Sequence, residues 1–345
     1  MINQEGFISS YKFARISNLV YSEVLTLDQF YVLNPKNIEI LSKDNVSVFY
    51  KKVRFEVKDN DVIFTNTNLI NDLFSELKKI RNLKNITIIT NQTDDSITKK
   101  TYFKKPNSVS NWYAINVQHK ANDLVPIPLG LANDYSPKNL RSSDFLNVLY
   151  EKKELPTMYV NFRENTNLKA RKNLKDYFSD EHWVEVDISD LSIENYLKKL
   201  SSHSFTLCPW GNGIDTHRIW EALYAGSVPI TKNHNTFSNL NNLPILFVND
   251  YKEINYDLLK NYLERKNNGS FEIEKLNFKY WEEVIKSNNI DNKINSYNVN
   301  ESIRKQKNIK MRLAFNSKVK SVNKKILFYI RKVSKIPSKI LKTRY

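Results

Sequence analysis

At 345 residues the chain exceeds one small domain and suits two of about 150 residues plus an extension. A single cysteine, Cys208, excludes a disulfide scaffold and fits a reducing compartment, while 41% hydrophobic residues supply two cores. The net charge of +16 does not make the body a nucleic-acid binder: fifteen Lys and Arg lie between Arg304 and Arg344 with no acid nearer than Glu301, which leaves the body nearly balanced.

The opening MINQEGFISSYKF lacks a charged region followed by an apolar run, so no signal peptide is expected. No apolar stretch approaches the roughly 20 residues of a spanning helix, and a cytoplasmic protein is the expectation. The chain divides into residues 1–150, residues 151–290 and a tail over 291–345. In the first part Asp61 to Thr65 reads as a buried strand. Asn68 to Arg81 reads as a helix with Leu69, Leu73, Leu77 and Ile80 inward, and Ile86 to Thr90 as the next strand. Such alternation argues a parallel α/β sheet, whose ligands sit outside the carboxyl ends of the strands. Asp94 and Asp95 stand at such an end, where they would also suit a solvated turn. Trp112 and Tyr113 open a segment through Asn116 to the Pro-rich run Val125 to Gly130. His119 lies within it, beside Lys120 in a polar loop.

In the second part Glu151 to Pro156 is a charged linker, and Met158 to Phe162 a strand whose end is crowded by Asn161, Arg163, Asn165 and Thr166. Arg163 is a candidate phosphate ligand there. Thr166 can cap a helix over Lys169 to Phe178, on which Arg171 reads as a surface charge. Val184 to Ile188 gives a strand and Ile193 to Leu200 a helix.

The chemistry concentrates in Ser204 to Asn233: a short buried strand to Cys208, a turn over Pro209 to Ile214, a helix capped by Asp215 or Thr216 and ending at Gly226, then a strand over Val228 to Ile230. Three of the chain's six glycines, Gly211, Gly213 and Gly226, fall here, which points to tight turns or close approach to a ligand. His217, Arg218 and Glu221 share one side of the helix, while Ile219, Ala222 and Leu223 form a packing face. A helix N-terminus after the Gly211-Asn212-Gly213 turn seats a phosphate, and the planar fork of Arg218 suits a diphosphate. Glu221, an acceptor only, suits sugar hydroxyls. The same spacing would serve a solvated Arg218–Glu221 pair, with His217 on the surface or in the core. The turn falls short of the dinucleotide fingerprint, because Thr216 stands where the third glycine belongs. Lys232, past the last strand, points toward the same cleft.

In the tail Phe315, Val319, Val322, Ile326, Ile330 and Val333 recur every three or four residues with lysines between. This predicts a basic amphipathic helix broken near Pro337 and lying on an anionic membrane surface, peripheral on the inner face. A helix packed across the two domains is the alternative. The five histidines are scattered, and no acidic dyad holding Mg²⁺ on a diphosphate is expected, so the chemistry reads as metal-independent, with no required cofactor.

Pro209 to Leu223 (PWGNGIDTHRIWEAL) and Ala225 to Ile230 (AGSVPI) resemble the C-terminal signature of exostosin-like glycosyltransferases. The run Asn242 to Ile245 followed by Phe247 and Val248 resembles that family's next strand. Trp210 departs from it, standing where an Arg is common. Fainter likenesses lie around Trp112 and Asn116, at Ile127 to Gly130, and over Tyr159 to Arg171. The resemblance implies a GT-B fold of two Rossmann-like domains facing a cleft. The second would bind a UDP- or GDP-sugar, with Glu221 holding it, and the first a glycan or lipid-linked acceptor. It also implies inversion, which needs a base for the acceptor hydroxyl; Asp94 or Asp95 is the first candidate and His119 the alternative. A non-catalytic nucleotide-sugar or glycan-binding protein, or a basic membrane-associated scaffold, would fit the same residues.

Overall fold

The computed structural model describes residues 5–136, 139–146, 148, 153–188, 190–287 and 294–334. It is a mixed α/β structure with two sheets containing parallel strands. In the first half the strands are β1 (Leu19–Thr26), β2 (Ile38–Lys43), β3 (Ser47–Lys52), β4 (Arg54–Lys58), β5 (Val62–Asn66), β6 (Ile86–Asn91), β7 (Val109–Ala114) and β8 (Leu124–Pro126). Seven of them form a sheet in the order β2-β3-β1-β5-β6-β7-β8. From β1 to β8 neighbours run parallel, whereas β3 is antiparallel to both β1 and β2. The parallel strands β5 and β6 are buried along their whole length, as the continuous apolar runs require.

In the second half β9 (Met158–Val160), β10 (Val184–Val186), β11 (Phe205–Leu207), β12 (Val228–Lys232) and β13 (Leu246–Val248) form an all-parallel sheet in the order β10-β9-β11-β12-β13. The connection reverses between β9 and β11. At such a switch point the loops leave in opposite directions and open a crevice at the carboxyl ends.

Two predicted helices are interrupted. Asn68 to Arg81 splits into a 3₁₀ turn, Thr67–Leu69, and a helix, Ile70–Leu77. Lys169 to Phe178 splits into Leu168–Arg171 and Leu174–Phe178, because Asn173 takes a left-handed φ of 62° that an α-helix does not admit. The region over 19–58, including β1 and the antiparallel strands, was not recognised from sequence.

The two sheets share one core. Phe7, Phe13, Ile89 and Tyr113 from the first half pack in one cluster with Trp220, Tyr224 and Trp281. The Tyr224 hydroxyl accepts the Ile8 N–H at 3.1 Å and donates to the Leu276 carbonyl at 2.8 Å. After β13 the chain returns to the first half. The helix Phe278–Lys286 sets Phe278 edge-on against Phe13, with ring centroids 5.2 Å apart. A last strand, β14 (Ser296–Asn300), pairs antiparallel with β4. Behind it Glu301, buried, pairs with the buried Lys51 and accepts from Tyr21 at 2.5 Å. Part of the segment assigned to the tail is thus built into the first half. Pro337 lies outside the described residues.

Candidate active site

A cleft of about 510 Å³ opens where the carboxyl ends of the two sheets meet, lined from both halves. The second half contributes Asn161, Arg163, Thr166, Arg171 and Tyr196, the turn Gly211 to Gly213, and Asp215 to Arg218 with Glu221. The first half contributes Ser10, Asn91 to Asp94, Asn133, Tyr135, Ser136 and Asn139, with Leu129 and Leu131 at the junction. Of the sequence candidates, Asp94, Arg163, Gly211, Asn212, Gly213, Asp215, His217, Arg218 and Glu221 come together here. Asp95 does not: it is outside the lining, and its N–H bonds to Thr93 Oγ1 in a turn. His119 sits among Tyr102 and Phe103, and Lys232 pairs with Asp250 at 3.1 Å over the Tyr251 ring. Neither lines the cleft.

The turn after β11 is shaped by side chains rather than by glycine conformation. Arg171 is buried. Its Nε donates to the Trp210 carbonyl at 2.9 Å, Nη2 to Pro209 at 2.9 Å and Nη1 to Arg163 at 3.0 Å. The expected surface charge is therefore the clamp that fixes the loop, and burial lowers its pKa to about 10. Asn167 adds a bond from Nδ2 to the Gly211 carbonyl at 2.8 Å. Gly213 is demanded by close approach. A Cβ there would stand 2.9 Å from the Asn116 amide. Asn116, left-handed at φ 53°, accepts the N–H groups of Ile214 and Asp215 on its Oδ1, at 3.0 and 2.9 Å.

The helix His217–Tyr224 starts at Thr216, whose side chain makes no cap and whose buried Oγ1 has no partner. The helix start thus lacks a side-chain cap, and Thr216, His217 and Arg218 line the cleft there. Asp215, the other predicted cap, meets the Thr216 N–H but spends the rest of its carboxylate elsewhere. Its carboxylate accepts the Leu129 N–H at 2.8 Å and the Trp220 indole N–H at 2.9 Å, tying the first half to the helix. Burial pushes its pKa up to about 7. His217 Nδ1 lies 2.8 Å from the Gly130 carbonyl, so Nδ1 carries the proton and donates.

Arg218 reaches the cleft with a buried Nε that has no hydrogen-bond partner, and no carboxylate lies within ion-pair distance among the described residues. Burial penalises its charge, but nearby Tyr196 and Glu221 outweigh that and hold it cationic. Glu221, one turn along and buried, accepts the Tyr196 hydroxyl on Oε2 at 2.9 Å. No described residue bonds to its Oε1. Arg218 and Glu221 are not a solvated ion pair: Glu221 is buried, Arg218 is half-buried, and no ion pair joins them. Arg163 is more exposed and pairs with Asp190 at 2.7 Å. Cys208 beneath the turn is buried, its thiol pushed up to about 12 by burial, and serves packing.

The first-half wall differs in kind. Among the described residues Asp94 is its one charged group, the rest being amides, hydroxyls and leucines. Asn91, fully buried at the end of β6, has an Nδ2 without a partner. Gln92, at φ 67°, turns the chain there and pairs through its own amide with the backbone of Val24. Sequence reasoning missed Tyr196, Asn91 and the amide- and hydroxyl-rich run Asn133 to Asn139, since none of them belongs to a spaced motif.

An Asp-x-Asp spacing does occur, at Asp59-Asn60-Asp61. It stands before β5, at the amino end of the sheet and outside the cleft lining. Asp59 accepts from the Lys84 N–H and from Asn295, and Asp61 from the Lys58 N–H. Among the described residues no group of three metal-ligating side chains stands together.

Residues 138–283 match the family model described as the RXYLT1 C-terminal domain. That span contains β9 to β13 and the whole second-half wall of the cleft. Over 90 residues the chain is 29% identical to human ribitol-5-phosphate xylosyltransferase 1, covering 21% of this chain and 20% of that protein. The match thus spans about a fifth of the relative's length. Among solved structures, the one titled "Crystal structure of GtfA/B complex" aligns with 68% of this chain and 55% of that chain. Its TM-score is 0.31 and its identity 10%. The two sequence matches point to a domain of glycosyltransferase type.

Proposed function

We propose that this chain is a glycosyltransferase of GT-B arrangement, related to the exostosin-like enzymes, which moves a sugar from a nucleotide-sugar donor to a glycan or lipid-linked glycan. One observation carries the reading: Arg218 and Glu221, a turn apart on one helix, open on the same cleft, Arg218 with a buried Nε that has no partner and Glu221 with one carboxylate oxygen to which no described residue bonds. The uncapped helix start and the Arg218 fork suit the diphosphate, with Arg163 at the rim. Glu221 Oε1 suits a sugar or ribose hydroxyl. The family match over 138–283 supports this assignment of the second half.

On the opposite wall Asp94 is the base. The acceptor hydroxyl gives its proton to Asp94 as its oxygen bonds to the anomeric carbon, and the bond from that carbon to the diphosphate oxygen breaks. The electron pair leaves with the nucleoside diphosphate, whose charge Arg218 and the helix N-terminus stabilise in place of a metal. The nearly uncharged wall beside Asp94 suits a neutral polyhydroxyl acceptor, with the Asn91 amide as one of its ligands.

The test is a panel of UDP- and GDP-sugars offered to the purified chain together with a panel of oligosaccharide and lipid-linked glycan acceptors, with release of nucleoside diphosphate as readout. Release from at least one donor is expected, insensitive to chelators and lost in Arg218→Lys, which keeps the charge but not the fork. Neither release nor binding across the panel would reject the proposal. Saturable donor binding without release would make the chain a binding protein.

A further inference from the structure

We infer that the projecting part of the helix Ile303–Ser334 is a docking element for an anionic lipid surface; this does not depend on the activity proposed above. The helix is anchored at its start. Lys305 pairs with Glu76 and donates to Ser75 Oγ at 2.6 Å, Arg312 forks onto Asp72, and Ile309 is buried against the first half. The body does not cover the neighbouring stripe. Met311, Phe315, Val319 and Val322 follow at spacings of four, four and three, and are 63%, 67%, 40% and 53% exposed. That spacing lays them along one face. In sequence the same phase continues through Ile326, Ile330 and Val333. The helix beyond Leu313 extends about 30 Å, ample for an interfacial segment held at one end by the folded body.

Charge selects the occupant. From Arg304 onward the chain carries fifteen cations and no acid. A second copy is a poor partner, because Lys318, Lys325 and Lys332 recur every seven residues beside the stripe and would face like charge across a self-paired seam. A nucleic acid would use the lysines but leave the apolar stripe in water. A lipid surface uses both: the stripe enters the boundary between headgroups and acyl chains, and the lysines meet anionic headgroups.

The experiment is co-sedimentation of the full chain with vesicles of phosphatidylcholine alone, or with about a third phosphatidylglycerol. Two variants accompany it, Phe315→Ser/Val319→Ser/Val322→Ser and Lys318→Gln/Lys320→Gln/Lys324→Gln/Lys325→Gln. These positions lie past the anchoring contacts, and an unchanged melting temperature checks that the body is intact. Binding to the anionic vesicles only, weakened at least ~100-fold in the lysine variant and lost in the apolar variant, is the expected result. Absence of wild-type binding, or equal binding by either variant, would overturn it. So would a dimer abolished by the apolar variant, or salt-sensitive binding to a homopolymeric RNA without vesicle binding.

Discussion

The carboxylate of Asp215 accepts the backbone N–H of Leu129 at 2.8 Å, joining residues 86 positions apart across the two halves. The same carboxylate accepts from Trp220 on the helix that carries Arg218 and Glu221. The cleft is therefore set by a fixed contact between its walls rather than by two halves that merely face each other. Asn116 and His217 reinforce it through Ile214, Asp215 and Gly130.

The pH dependence follows from that burial. Burial disfavours the charge of Asp215 and pushes its pKa up from the ordinary 3.8 to about 7 in the folded chain. The folded state holds this proton more tightly than the unfolded state does. Its stabilising effect is therefore fully present below about pH 4 and is lost as pH rises toward 7, by up to about 4 kcal/mol. In Asp215→Asn this component should vanish. Comparing denaturant midpoints of the two proteins from pH 4 to about 8 checks it, and parallel profiles would contradict it.

Glu221→Gln keeps an acceptor for the Tyr196 hydroxyl but removes the charge. Nucleoside diphosphate release should fall by at least about 100-fold, since the amide presents a donor where a ligand hydroxyl donates. The melting temperature should stay within a few degrees. Unchanged turnover would remove Glu221 from the site.

Asp94→Asn should cut the rate of transfer while leaving donor affinity within about twofold, because Asp94 lies on the first-half wall of the cleft and the proposed reaction gives it only the role of base. Calorimetric titration of the nucleoside diphosphate separates the two effects. A parallel loss of binding would show that Asp94 contacts the donor instead.

Arg171→Met should destabilise the chain by about 2–4 kcal/mol, since three loop carbonyls lose their donor at once. Donor binding should weaken as well, although Arg171 is a positioning residue here, because the turn Pro209 to Gly213 would no longer be held. Urea denaturation and donor titration measure the two losses. A variant as stable as wild type would refute the clamp.

Gly213→Ala brings a methyl within 2.9 Å of an amide already committed to two backbone N–H groups. The expected cost is about 1–3 kcal/mol, and pairing the change with Asn116→Ser should recover part of it. No recovery would place the strain elsewhere.

Regular alternation made much of the fold legible. Val62 to Asn66 and Ile86 to Asn91 are strands because their apolar runs are buried on both faces, and Leu69, Leu73 and Leu77 point inward as their spacing requires. The turn and helix around Gly211 and Arg218 were legible as well, since donors for an anion and a lone carboxylate at fixed spacing are a local pattern. Local pattern could not reveal β1 to β4, since β4 pairs with a strand arriving from residue 296 and β2 and β3 join the sheet antiparallel through β1. Nor could it separate Asp94 from Asp95, or find that Arg171 is a clamp and Asp215 a tie. These roles are set by which main-chain groups lie across the fold from them. Sequence by itself determined which residues could do the chemistry. Only the tertiary structure decided which of them meet, because a hydrogen bond between Asp215 and Leu129 depends on distance in space and leaves no trace in the spacing along the chain.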